Sequence, residues 1–292
     1  MPKRLAAVVL LFVACTRRAS APPAVVPAVP AALQPYGFTV EEEARLLALE
    51  DRRELDPVMT AAWIGSPNAL HRARMALALG RIGPSTFVDA KGNGERDPGE
   101  KQAGVAELVG LVGDPDRNVR ETAAFALGEI GDPTAMEALF EFATEKEDGG
   151  VAAEAVEALS KLATKVPLVR YAELCNAGQR DGVRARAIRF LFRFNTDEAS
   201  ALAAAALESP SPLFRQEGAY ALSRRAYAPA RGRLELLTGD RSVETRMYVA
   251  AALGRIGSKE SLPLLLDLLL DPHPWVRTNA AVAIGRIVSG DA

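Results

Sequence analysis

Histidine and cysteine are almost missing from this chain of 292 residues, which holds two of each. His71 lies near the start of a helical stretch and His273 in a turn between Pro272 and Pro274, so a metal pair is not expected and both read as surface residues. Cys175, beside Leu174, reads as a small buried apolar residue rather than a nucleophile. An excess of one charge is also missing. With 35 Lys and Arg against 37 Asp and Glu, no basic field points to a nucleic-acid partner. No stretch alternates convincingly with period two, which argues against strands. No glycine-rich phosphate loop follows a strand, and no nucleophile elbow is found.

What the chain has is repetition. A Leu or Ile recurs at Leu79, Leu127, Leu159, Leu191, Leu222, Leu253 and Ile284, at steps of 48, 32, 32, 31, 31 and 31 residues. Seven residues before the anchor stands Arg72, Arg120, Arg184, Arg215, Arg246 or Arg277, with Ala152 the exception. Six residues before that Arg, Ser66, Asp114, Ser209, Asp240 and Asp271 mark a turn, usually followed by Pro. Each unit reads as a helix, a Pro-containing turn and a second, Ala-rich helix. Such pairs bury their apolar faces only by stacking, which predicts an all-α solenoid of about seven helix pairs over residues 39–289.

On a helical wheel Val119, Ala123, Ala126, Leu127 and Ile130 form the buried stripe of one second helix, with Ala124 and Gly128 beside it where the next unit must come close. The run from Val119 to Pro133, VRETAAFALGEIGDP, resembles the short HEAT-like repeat first named from phycobilisome lyases, and the resemblance extends over roughly residues 55–288. It implies a ladder of Arg side chains bonded to the turn Asp and to carbonyls of adjoining units. It also brings enzymes into view, because HEAT-like proteins include bilin lyases and deoxyhypusine hydroxylase. The hydroxylase binds iron through paired His-Glu motifs; neither His71 nor His273 is followed by Glu, so that activity is not expected.

The N-terminus begins Met-Pro-Lys-Arg, followed by an apolar run from Leu5 to Ala14 that is too short to span a bilayer. Phe12-Val13-Ala14-Cys15 resembles a bacterial lipobox. This implies a signal peptide over 1–14, lipidation of Cys15 and a location in the bacterial cell envelope. Residues 15–38 are rich in Ala and Pro and read as a linker that holds the repeats off the membrane.

The long first step contains Asp89-Ala90-Lys91-Gly92-Asn93-Gly94-Glu95-Arg96-Asp97-Pro98-Gly99-Glu100, which is similar to an EF-hand loop. Asp89, Asn93, Glu95, Asp97 and Glu100 offer oxygen ligands, and Gly94 stands where the chain turns sharply, so a structural Ca²⁺ is expected at 89–100. Lys91 departs from the pattern at the third position.

The exposed side of the second helices, concave in HEAT solenoids, is acidic in units two and three and basic from unit four onward. Phe125, Glu129, Arg189, Arg193, Tyr220, Arg224, Tyr248 and Arg255 are the residues expected to meet a protein partner. In unit four Phe192 takes the place of Gly128, which should disturb close packing. No polar cap repeat follows Ile287, so the C-terminal edge is a candidate dimer surface. The function expected from sequence is a lipid-anchored, non-catalytic scaffold that binds protein partners. The alternative is a lyase-like or other small-ligand enzyme using a groove near Phe192.

Overall fold

Thr39 opens the first helix with a reciprocal cap: its hydroxyl accepts from the Glu42 backbone N–H at 3.1 Å, and the Glu42 carboxylate accepts from the Thr39 N–H at 2.7 Å. The structure, a computed structural model, describes residues 38–83, 102–144 and 149–290. Cys15, the 15–37 part of the linker and the 89–100 loop lie outside the described residues. All the described helices fall in one unit, residues 36–292.

Fifteen α-helices are described, and no strand is described alongside them. After α1 (Val40–Arg52) they alternate between short first helices and longer second helices. The first helices are α2 (Pro57–Ile64), α4 (Val105–Gly110), α6 (Met136–Thr144), α8 (Leu168–Ala172), α10 (Asp197–Ala206), α12 (Arg231–Leu236) and α14 (Leu262–Leu268). The second are α3 (Ala69–Ile82), α5 (Arg117–Ile130), α7 (Gly149–Lys161), α9 (Asp181–Phe190), α11 (Pro212–Arg224), α13 (Val243–Ile256) and α15 (Pro274–Ser289). Asn68, Asp116, Ser242 and His273 cap second helices through their side chains.

The repeated residues do what their positions demand. Leu79, Leu127, Leu159, Leu191, Leu222 and Leu253 are buried, whereas Ile284, the anchor on the last described helix, is half-buried. Close stacking depends on a missing Cβ. A methyl group on Gly128 would lie 2.8 Å from Ala158 Cα, and one on Gly254 would lie 2.5 Å from Ala283 Cα.

The Arg ladder stitches the turns. Arg72, Arg120, Arg215, Arg246 and Arg277 donate through Nη1 to the carbonyls of Ser66, Asp114, Ser209, Asp240 and Asp271 in their own turns, at 2.7–3.0 Å. Arg72, Arg215 and Arg246 also reach Asp114, Asp240 and Asp271 of the following unit at 2.7, 2.7 and 2.6 Å. Burial alone raises the pKa of Asp114 and Asp240. The guanidiniums of Arg72 and Arg215, helped by backbone N–H groups, outweigh it and hold both carboxyls below the usual range. At Asp271 the Arg246 hydrogen bond is the largest influence, in the same direction. Arg184 faces a turn with Ser209 in place of Asp, and instead donates to the Cys175 carbonyl and lies 4.2 Å from the Phe214 ring centroid.

Unit four departs from the pattern. Its α9 stops at Phe190 and the chain tightens into a 3-10 turn over Leu191–Phe194, ending at Asn195 with φ 51°. That tightening is how the fold accommodates Phe192 where other units carry a small residue. The ring turns onto Tyr220, edge to face at 6.0 Å.

Candidate functional site

One column of side chains on the second helices shows best what this face can do. It is the position nine residues after the ladder Arg: Arg81, Glu129, Lys161, Arg193, Arg224, Arg255 and Arg286. Helical geometry puts these positions on one side, and stacking puts each beside its counterpart in the next unit.

In the first units the column is neutralised within the chain. Arg81 pairs with Glu50 of α1 at 2.8 Å, and Arg74 with Glu43 and Glu50 at 2.8 and 2.5 Å. Glu129 accepts from Lys161 at 2.6 Å, and the Lys161 ammonium also stands 4.8 Å from the Phe125 ring centroid. Arg193 donates to Ser160 Oγ at 3.0 Å and lies 3.8 Å from the Glu157 carboxylate. Arg189 bonds Glu217 at 2.7 Å and lies over the Tyr220 ring at 3.7 Å. Phe125, Glu129, Arg189 and Arg193 are therefore engaged inside the chain.

From unit five onward the column changes character. Among the described residues no carboxylate pairs with Arg224, Arg255 or Arg286. Arg255 Nε donates to the Ser223 carbonyl at 2.7 Å, and the Arg224 guanidinium lies 5.6 Å from the Phe192 ring centroid. Burial, then the neighbouring charges of Arg286 and Arg224, lower the Arg255 pKa, so the three cations sit within each other's field. They line a cavity of about 230 Å³ together with Tyr220, Tyr248 and Asn279. Tyr220 and Tyr248 meet edge to face at 5.1 Å and continue the aromatic row that begins at Phe190 and Phe192.

The structure thus brings Tyr220, Arg224, Tyr248 and Arg255 together at one cavity, and adds Arg286 and Asn279, which lie on the same exposed face of the second helices but were not singled out for recognition. The nine-residue offset that picks out Arg224 and Arg255 picks out Arg286 as well. The groove looked for near Phe192 is occupied by the Phe192–Tyr220 contact, and the cavity opens one unit further on. Glu154 marks the acidic half, its carboxyl pushed up by burial and by Glu157. At the C-terminal edge Val282 and Val288 are exposed on α15.

The two histidines serve structure. The His71 ring stacks on Trp63 at 5.0 Å and its Nδ1 meets Ser66 Oγ, while His273 Nδ1 accepts from the Trp275 N–H. Among the described residues no group of three His, Cys, Asp or Glu side chains could hold a metal ion. The paired donor set of an iron hydroxylase does not fit these residues. Burial pushes the Cys175 thiol up to about 12, which disfavours the thiolate.

A family model described as HEAT repeats matches residues 57–160 and 230–292. Deoxyhypusine hydroxylase of Cryptococcus neoformans var. neoformans serotype D (strain B-3501A) is 36% identical over 108 residues, 36% of this chain and 30% of the relative. Deoxyhypusine hydroxylase of Candida albicans (strain SC5314 / ATCC MYA-2876) is 36% identical over 103 residues, 35% of this chain and 32% of the relative. The chain thus spans about a third of the length of these curated relatives. Human deoxyhypusine hydroxylase in complex with glycerol aligns in structure at TM-score 0.38 and 22% identity, over 85% of this chain and 98% of its own.

These relatives correct the expectations drawn from sequence. Relatives that are enzymes by name overturn the non-catalytic scaffold, and fungal relatives overturn the bacterial lipoprotein and its envelope location.

Proposed function

The chain belongs to the HEAT-repeat family, and we propose that the second-helix face of its last three repeats binds a negatively charged segment of a protein as the substrate-holding part of an enzyme reaction. The observation that supports this is the Arg224–Arg255–Arg286 column, without carboxylate partners among the described residues, in a position that is ion-paired in the first repeats. Cations held without carboxylate partners beside aromatic rings offer an acidic segment both charge and contact area. The curated relatives hydroxylate deoxyhypusine by name. That activity enters here as the kind of reaction in which a bound segment would take part. Among the described residues no donor set fits an iron site.

Fluorescence anisotropy with a labelled Asp/Glu-rich peptide tests this reading. Binding should weaken at least about 100-fold in an Arg224→Glu/Arg255→Glu double variant and fall steeply with salt. Glu129→Gln, at a residue paired within the chain, should leave it unchanged. Equal affinity for wild type and double variant would sink the reading.

A structural Ca²⁺ at 89–100 is proposed on sequence alone, from the oxygen donors Asp89, Asn93, Glu95, Asp97 and Glu100. Added calcium should raise the melting temperature of the wild type and not that of Glu100→Gln.

A further inference from the structure

Three guanidiniums at steps of 31 residues, Arg224, Arg255 and Arg286, share one cavity. Their arrangement says more than that the surface is basic. Arg255 is fixed by its Nε bond to the Ser223 carbonyl, which leaves the terminal nitrogens of its fork for a ligand. Arg224 is steadied over Phe192, and Arg286 stands on α15, beyond which no helix is described. The walls beside them are the Tyr220 and Tyr248 rings.

Ligand chemistry follows from counting charges and oxygens. A carboxylate carries one charge and two coplanar oxygens, which a single guanidinium satisfies in a bidentate pair. A carboxylate here would leave two further cations facing each other. A phosphate monoester carries about −1.5 to −2 charges and three acceptor oxygens, and so engages three guanidiniums at once. A cavity of about 230 Å³ has room for the phosphoryl group and the first atoms of whatever bears it.

We infer that the Arg224–Arg255–Arg286 cavity is a receptor for a phosphate monoester, carried on the acidic protein segment proposed above. The inference rests on that reading and narrows it: binding is anchored by one phosphorylated side chain, with Tyr220 and Tyr248 packing on the residues beside it. A mutually repelling column weakens the ligand-free fold, and a bound dianion relieves the repulsion.

Anisotropy with the full chain can decide, using four labelled probes: an acidic peptide carrying one phosphoserine, the same peptide with Glu at that place, the same peptide with unmodified Ser, and oligothymidylate. The phosphopeptide should bind about 30-fold more tightly than its Glu counterpart. Inorganic phosphate should compete with it, and Arg255→Ala or Arg286→Ala should remove the preference while weak binding of the Glu peptide remains. Unchanged far-UV circular dichroism and melting establish that the variants fold, and Arg286→Ala has no following helix to disturb. Equal affinity for the phospho and Glu peptides overturns the phosphate site and leaves the acidic-segment reading standing. No binding of any peptide overturns both. Tighter binding of oligothymidylate than of the phosphopeptide overturns the inference in favour of a nucleic-acid ligand.

Discussion

The two ends of the repeat array solve the same problem differently. At the N-terminal end α1 is not half of a repeat pair, yet it lies on α3 and sets Glu43 and Glu50 against Arg74 and Arg81. At the other end no described helix covers α15. Gly285, in the place where Gly80, Gly128 and Gly254 nearly touch the next helix, has nothing within 4 Å. Solenoid ends need a polar cap because each unit leaves half of its stacking face bare. Among the described residues one end is capped by carboxylates and the other carries a column of cations, which leaves charge there for a ligand.

The largest expected effect sharpens the difference in burial. Leu127→Ala, at a fully buried anchor between two neighbours, should cost about 3 kcal/mol in urea or thermal unfolding. Ile284→Ala, at the half-buried equivalent in the last unit, should cost about 1 kcal/mol. Equal losses would mean that the open end is covered in solution.

A pair of identical substitutions separates the ends by sign. Gly254→Ala puts a methyl group 2.5 Å from Ala283 Cα and should destabilise by about 2 kcal/mol, because the backbone of α15 must retreat. Gly285→Ala meets open space and should stabilise by up to about 1 kcal/mol through helix propensity alone. Melting temperatures of the two variants should therefore move in opposite directions.

The legible part of this fold is the part that repeats. Anchor Leu, ladder Arg and turn Asp meet the same physical demand in every unit, so each copy confirms the others, and the all-α solenoid and its second-helix face followed directly. Features that occur once were harder to see. Nothing in Leu191-Phe192-Arg193-Phe194 says that the helix yields to a 3-10 turn rather than that the stack opens. The role of α1 was missed because its sequence is not a copy of the repeat, although Thr39 and Glu42 spell a helix start and Glu50 stands 31 residues before Arg81. The site was half legible: signs of charge can be read from a wheel, but which charges cancel depends on neighbours one unit away. Read down the column, Glu129 beside Lys161 cancels, and Arg224, Arg255 and Arg286 in succession do not.

Charge substitutions give a smaller contrast. Glu50→Gln removes the shared partner of Arg74 and Arg81, whose carboxylate is largely buried, and should cost about 1–2 kcal/mol. Arg286→Gln removes a cation that repels Arg255 and should leave stability unchanged or raise it by a few tenths of a kcal/mol. Loss of stability of similar size in both variants would break the comparison, because it would mean that the C-terminal column is compensated after all.

Acid should act on the ladder. Asp114, Asp240 and Asp271 have folded pKa values below their ordinary 3.8, so the folded state binds fewer protons than the unfolded chain as pH approaches that range. Their contribution is complete above about pH 4 and is lost as pH falls through the depressed folded values. Each site is small and part of the loss is screened, so the expected result is a gradual fall in melting temperature below about pH 4. A triple Asp114→Asn/Asp240→Asn/Asp271→Asn variant should be less stable at pH 7 and should show a flatter fall below pH 4.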